Sequence, residues 1–198
     1  MAYSDFTLAS VQRQFHLTID EVQDLFVAAP EVPVSAFLHT TLDENVPLAL
    51  AIQTEKARSE LIIAPILVEL RKLLHRQISL FSGVDFSVDP DNGLNGVCDF
   101  IITRSPQQLF VTRPVLMLVE AKNENIKSGL AQCIAEMIAA QRFNAREETD
   151  SPRIAGVVTT GSTWKFLQLE DTQGTIDQRE YYINEVGKIL GILHYLVM

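Results

Sequence analysis

LMLVEAKNE, residues 116–124, is an apolar strand that ends in charge. Leu116, Met117, Leu118 and Val119 suit the interior of a sheet. Glu120 and Lys122 then arrive with only Ala121 between them. Side chains alternate along a strand, so Glu120 and Lys122 fall on one face. A charge on a face that packs against protein needs a partner, because removing it from water is costly. Taken alone, the pair reads as a salt bridge at a solvated strand end.

The segment upstream changes that reading. VDFSV (84–88) alternates, DPDNGLNG is dense in turn residues, and VCDFIIT (97–103) alternates again, which predicts a hairpin. Its second strand carries one acid, Asp99, between Cys98 and Phe100. With Asp99 close to Glu120, two carboxylates crowd together. The crowding is relieved by a shared proton, by Lys122 or by a bound cation. Carboxylate oxygens are hard donors that suit Mg²⁺ or Mn²⁺, and the carbonyl of Ala121 offers a third oxygen.

Working outward, a helical pattern runs over 47–77, interrupted by Pro65, which cannot donate to the preceding turn. Ile66, Leu67, Leu70, Leu73 and Leu74 form its apolar stripe. A second helix is predicted over 125–143, strands over 153–160 and 164–169, and a last helix over 182–196. In the first 50 residues, TIDE (Thr18 to Glu21) fits a capping box, predicting a short helix over 19–26. AAPEVPVS then reads as an extended linker, because Pro30 and Pro33 disfavour helix. The expected organisation is an N-terminal helical arm and linker, 1–46, followed by one α/β domain, 47–198.

Asp99, then Glu120-Ala121-Lys122 leading into a helix, resembles the motif of the PD-(D/E)XK nuclease superfamily. The resemblance covers about residues 55–170. It implies a restriction-endonuclease-like three-layer α/β/α core with a mixed central sheet. Glu60 in ARSEL matches the Glu often supplied by the helix before the core, and Gln132 in LAQCIAEM matches the Gln on the helix after the motif. The chain departs from the pattern at Cys98, where the family names Pro. The resemblance implies metal-assisted phosphodiester hydrolysis, most readily of DNA. Asp99, Glu120 and the Ala121 carbonyl would hold Mg²⁺ or Mn²⁺, with Lys122, Glu60 and Gln132 as the other active-site residues.

Composition bounds the alternatives. At 198 residues and 47% hydrophobic, the chain suits one globular domain. The opening MAYSDFTLAS lacks the apolar core of a signal peptide, and no run has the length of a membrane span. Cys98 and Cys133 lack zinc spacing and are too few for a disulfide framework, so a cytoplasmic protein with reduced thiols is expected. The net charge of −9 opposes nonspecific nucleic-acid binding, although residues 1–50 hold −6 of it.

DPDNG has the look of a calcium loop, yet Phe100 stands where an EF-hand counted from Asp89 needs Glu. Trp164 and Phe166 fit either a base-stacking edge or a packed core. The four histidines are scattered, and there is no Ser/His/Asp set and no phosphate-binding glycine loop. The acidity motivates a second reading, a non-catalytic module that keeps the fold and binds a partner protein. A homodimer joined through the apolar C-terminal helix is a further expectation, since cutting two strands needs two sites.

Overall fold

The structure, a computed structural model, describes residues 1–146 and 153–198. Its centre is an eight-stranded mixed sheet. The strands are β1 Thr18–Asp20, β2 Ser79–Asp85, β3 Val97–Thr103, β4 Val115–Ala121, β5 Ile154–Thr159, β6 Thr163–Glu170, β7 Gln173–Ile176 and β8 Tyr181–Tyr182. Their order is β1-β7-β6-β5-β4-β3-β2, with β8 also on β6. β4 and β5 are parallel, as are β1 and β7; the other neighbours are antiparallel. The helices are α1 Leu8–Phe15, α2 Ala36–Ile52, α3 Glu55–Arg58, α4 Ala64–Leu73, α5 Ile126–Ala145 and α6 Val186–Val197.

Alternation along the strands builds a core on each face of the sheet. Phe100, Ile102, Met117, Val119, Val157 and Phe166 pack with α2, α4 and α6. Cys98, Ile101, Leu118, Val158 and Leu167 pack with α5 and α1. Helix α5 joins the parallel strands β4 and β5, the crossover that such a pair requires. It sits very close to the sheet: a Cβ on Gly156 would lie 2.9 Å from Cys133 Sγ, and one on Gly129 would lie 2.6 Å from Val158 Cγ1.

The helix predicted over 19–26 does not form. Thr18 N donates instead to Thr172 O at 2.9 Å, and Thr18–Asp20 pairs with β7. The Asp20 carboxylate then accepts from Val22 N at 3.0 Å, closing a side-chain turn where the capping box was read. A two-turn helix is marginal by itself, whereas pairing with β7 ties the segment into the sheet.

The helix predicted over 47–77 is two helical stretches, and its first part starts earlier. Ser35 caps α2, its hydroxyl accepting from Leu38 N at 3.2 Å, and Pro47 lies inside the helix. Pro47 and Asp43, four residues back, are both exposed, so water can reach the carbonyl that Pro47 leaves without a partner. The boundary drawn between 46 and 47 therefore falls within one continuous helix. The stretch then breaks at Gln53, a left-handed C-cap, and Thr54 caps α3 by accepting from Ala57 N at 3.1 Å.

Between α3 and α4 the helix widens into a π turn, Ser59–Ile63, just before Pro65. Pro65 has no N–H for the carbonyl of Leu61, and Asn45 Nδ2 from α2 takes that carbonyl at 2.9 Å.

The first 35 residues also enter the packing. Tyr3, Phe6 and Val11 lie in the α5-side core, and Phe26 lies in the other. The ammonium of Lys188, on α6, donates to the carbonyls of Val27 at 3.0 Å and Ala29 at 2.5 Å. Helix α6 buries Ile189, Leu190, Ile192, Leu193 and Val197 within the chain's own core. Those side chains pack within the chain, while Tyr195 stays exposed on the same helix.

Candidate active site

Strands β3 and β4 pair antiparallel with Phe100 opposite Val119. One step further along the same register, Asp99 comes opposite Glu120. There the ladder gives way to a side chain: Asp99 Oδ2 accepts from Ala121 N at 2.8 Å. The central strands thus part company at the acids.

The predicted residues form two adjoining sets. Asp99, Ala121 and Glu60 line one groove of about 250 Å³, together with Glu55, Lys56, Ser59, Ser82 and Gly83. Glu60 lies on the π turn, exposed, and forms an ion pair with Lys56 at 2.6 Å. Glu120, Lys122 and Gln132 lie on the α5 side. Glu120 is 2% exposed, and its Oε1 receives the Lys122 ammonium. Lys122 Nζ also donates to Gln132 Oε1 at 3.3 Å.

Two residues outside the predicted set complete the arrangement. Glu136, one helical turn beyond Gln132, is fully buried, and its Oε1 accepts from Gln132 Nε2 at 3.1 Å. Arg58, at the end of α3, is buried and donates to Thr160 O at 2.9 Å and Asn123 Oδ1 at 3.2 Å, tying the helix to the loop after β4 and the β5–β6 turn. A sequence signal existed for Glu136: it is the one acid among Cys133, Met137 and Ala140, all buried on α5. Arg58 had none, since its partners lie 65 or more positions away.

The electrostatics follow from burial. Glu120 is pushed up to about 8, first by desolvation and then by the charge of Asp99, against the pull of Lys122. Glu136 is raised well above the ordinary carboxylate range by burial, then by Glu120. For Lys122, burial favours loss of the proton, but the Glu120 carboxylate outweighs it and holds the ammonium above its usual value. Burial also raises the Cys98 and Cys133 thiols, so neither has the character of a nucleophile.

One oxygen on each of two buried carboxyls, Glu120 Oε2 and Glu136 Oε2, has no hydrogen-bond partner in the structure. Two such oxygens side by side fit either a cation between them or a proton shared by the two carboxyls, and Glu136 lies within hydrogen-bonding reach of Glu120. Among the described residues, no three His, Cys, Asp or Glu side chains gather at metal-binding distance.

No protein-family model and no curated protein matches this chain. Among the described residues, no helix is long and apolar enough to cross a membrane. Trp164 and Phe166 are buried in the α2/α4/α6-side core, so of their two readings the packed one holds.

Proposed function

We propose that this chain is a metal-dependent nuclease hydrolysing phosphodiester bonds, with DNA as the substrate, on a restriction-endonuclease-like core. The observation that carries the reading is the Asp99 carboxylate bonded to Ala121 N, beside Glu120, which feels the charge of Asp99 and is paired with Lys122. The mixed sheet, its helices on both faces and the β4–α5–β5 crossover are consistent with that core.

Asp99, Glu120 and the Ala121 carbonyl would hold the ion. A bound Mg²⁺ or Mn²⁺ supplies polarisation of the phosphate and a water of lowered pKa. Lys122, kept as an ammonium by Glu120, is a poor base. Its role is to orient the attacking water and offset the negative charge that grows on the phosphate. Gln132 holds Lys122 from the α5 side. Glu60, at the mouth of the groove, is placed to meet water on the ion or a second ion.

The test is cleavage of plasmid and oligonucleotide DNA with Mg²⁺ or Mn²⁺ by the wild type beside Asp99→Ala and Lys122→Ala. Loss of about 100-fold or more in both variants is the expected result. Equal activity in all three preparations would mean a contaminating nuclease and sink the reading.

One observation favours the second reading, a non-catalytic module that binds a partner protein: Glu120 is closed off from solvent and already paired with Lys122. Titration calorimetry with Mn²⁺ separates the two. Binding that Asp99→Ala abolishes supports the nuclease; no heat above dilution supports the module. A homodimer would suit cutting of both strands, using a surface other than the buried face of α6.

A further inference from the structure

We propose that Glu136 is a positioning residue, which acts through Gln132 to fix the ammonium of Lys122 against Glu120. The kinetic consequence rests on the nuclease reading; the placement of Lys122 does not.

The argument starts from the Gln132 amide, which has one donor end and one acceptor end. Glu136 Oε1 accepts from Gln132 Nε2 at 3.1 Å, and Gln132 Oε1 accepts from Lys122 Nζ at 3.3 Å. Rotating the amide by half a turn would present its N–H₂ to the ammonium and its carbonyl to a carboxyl. The ammonium would then face a donor, and the Gln132 N–H₂ would lose its acceptor on Glu136. Glu136 and Lys122 together hold Gln132 in the orientation seen. Lys122 then has two oxygens to choose a position by, one on Glu120 and one on Gln132. The spacing of four residues along α5 brings 132 and 136 together on one face.

A buried acid is a costly way to fill a core position, and Glu136 is fully buried with Oε2 unpartnered. Its neighbours Cys133 and Met137 show that apolar residues fit that layer. Its side chain has two polar neighbours, Gln132, to which it provides an acceptor, and the carboxyl of Glu120, within hydrogen-bonding reach. Lys122 cannot wander along the helix either: the ideal Cβ of Gly129 would lie 3.1 Å from both its Cγ and Cε, so the stem runs directly over α5.

The experiment compares Glu136→Gln, which keeps an acceptor oxygen of the same reach, with Glu136→Met, which keeps the volume and removes the acceptor. Gln132→Met and the double variant Gln132→Met/Glu136→Met complete the cycle. Two readouts are taken with the full-length chain: DNA cleavage, resolved into kcat and KM, and the side-chain NMR signal of Lys122, assigned by its disappearance in Lys122→Met.

Glu136→Met should lower kcat about tenfold with little change in KM and shift the Lys122 signal, while Glu136→Gln stays close to the wild type in both. The double variant should be no worse than Gln132→Met alone, because both remove one chain of contacts. Should Glu136→Met fail to fold, Gln132→Met, at a half-buried position, must still move the Lys122 signal in the same direction.

An unmoved Lys122 signal in Glu136→Met, or additive losses in the double variant, would overturn the proposal. Absence of cleavage by every protein, wild type included, would overturn the nuclease reading and leave the NMR comparison to decide the role of Glu136.

Discussion

Glu120 is a carboxyl taken out of water. It sits 2% exposed at the end of a fully buried strand, its carboxyl pushed up to about 8 by burial and by Asp99. The consequence for stability has a definite sign. In the unfolded chain this carboxyl releases its proton near its ordinary value of 4.5, while in the folded chain it keeps the proton until about pH 8. The folded state binds more protons in that window, so stability falls as pH rises through it. Glu136 is raised by burial and contributes with the same sign. In chelator-containing buffer, Glu120→Gln should flatten the fall in the unfolding free energy from urea titrations between pH 5 and pH 8 by up to about a few kcal/mol. An unaltered pH slope in Glu120→Gln would mean that its carboxyl is ionised in the fold. Asp99, Glu120 and Lys122 could be singled out from the sequence because an acid in an apolar alternating strand is anomalous within its own neighbours. Glu136 left a weaker trace, one acid among the apolar Cys133, Met137 and Ala140 of its helix, since a lone acid on a helix is ordinarily solvated and only its partners reveal its role.

Among the elements, the helical run from Glu55 to Leu73 shows how one proline is accommodated. Pro65 cannot donate to Leu61 O, the helix widens into a π turn before it, and Asn45 of α2 supplies the missing donor at 2.9 Å. The arrangement holds the mouth of the groove, where Ser59 and Glu60 stand on the same π turn. Asn45→Ala should cost about 1–2 kcal/mol in urea denaturation, because the Leu61 carbonyl loses its partner away from bulk water. In a Pro65→Ala background the restored N–H can take that carbonyl, and the cost of Asn45→Ala should shrink. Equal costs in the two backgrounds would show that Asn45 acts by some route other than that hydrogen bond. Residue spacing predicted a helical pattern with a fault at Pro65; the start at Ala36 and the break at Gln53 were missed. A proline reads locally as a helix start, and only the exposure of Pro47 and Asp43 allows it to sit in an interior.

For the molecule as a whole, the question is whether the first 35 residues are an attachment or part of the fold. Helix α6 and the 27–34 segment meet at Gly191, where a Cβ would stand 1.9 Å from the carbonyl oxygen of Pro30. No side-chain rotation relieves a clash with backbone. Gly191→Ala should therefore lower stability by at least about 2 kcal/mol, read as a shift in a single cooperative urea transition. A variant as stable as the wild type would show that the segment lifts off α6 freely. A transition that splits in two would show that residues 1–35 fold as a separate unit. Lys188, held by the carbonyls of Val27 and Ala29, points to one unit.

The amino-acid sequence by itself determined the local facts: which stretches alternate or repeat at helical spacing, that β3 and β4 each carry an acid, and that Glu120 and Lys122 share a face. Those properties depend on residues within a few positions of one another. Only the tertiary structure decided that 18–20 is a strand, since its hydrogen-bond partner is β7 at 173–175. It alone buried Glu136, brought Arg58 to Thr160 and Lys122 to Gln132, and split the candidate residues between a groove and a buried cluster. Pairing, burial and the electrostatics that follow from burial are set by distant parts of the chain, and spacing along the sequence carries no measure of them.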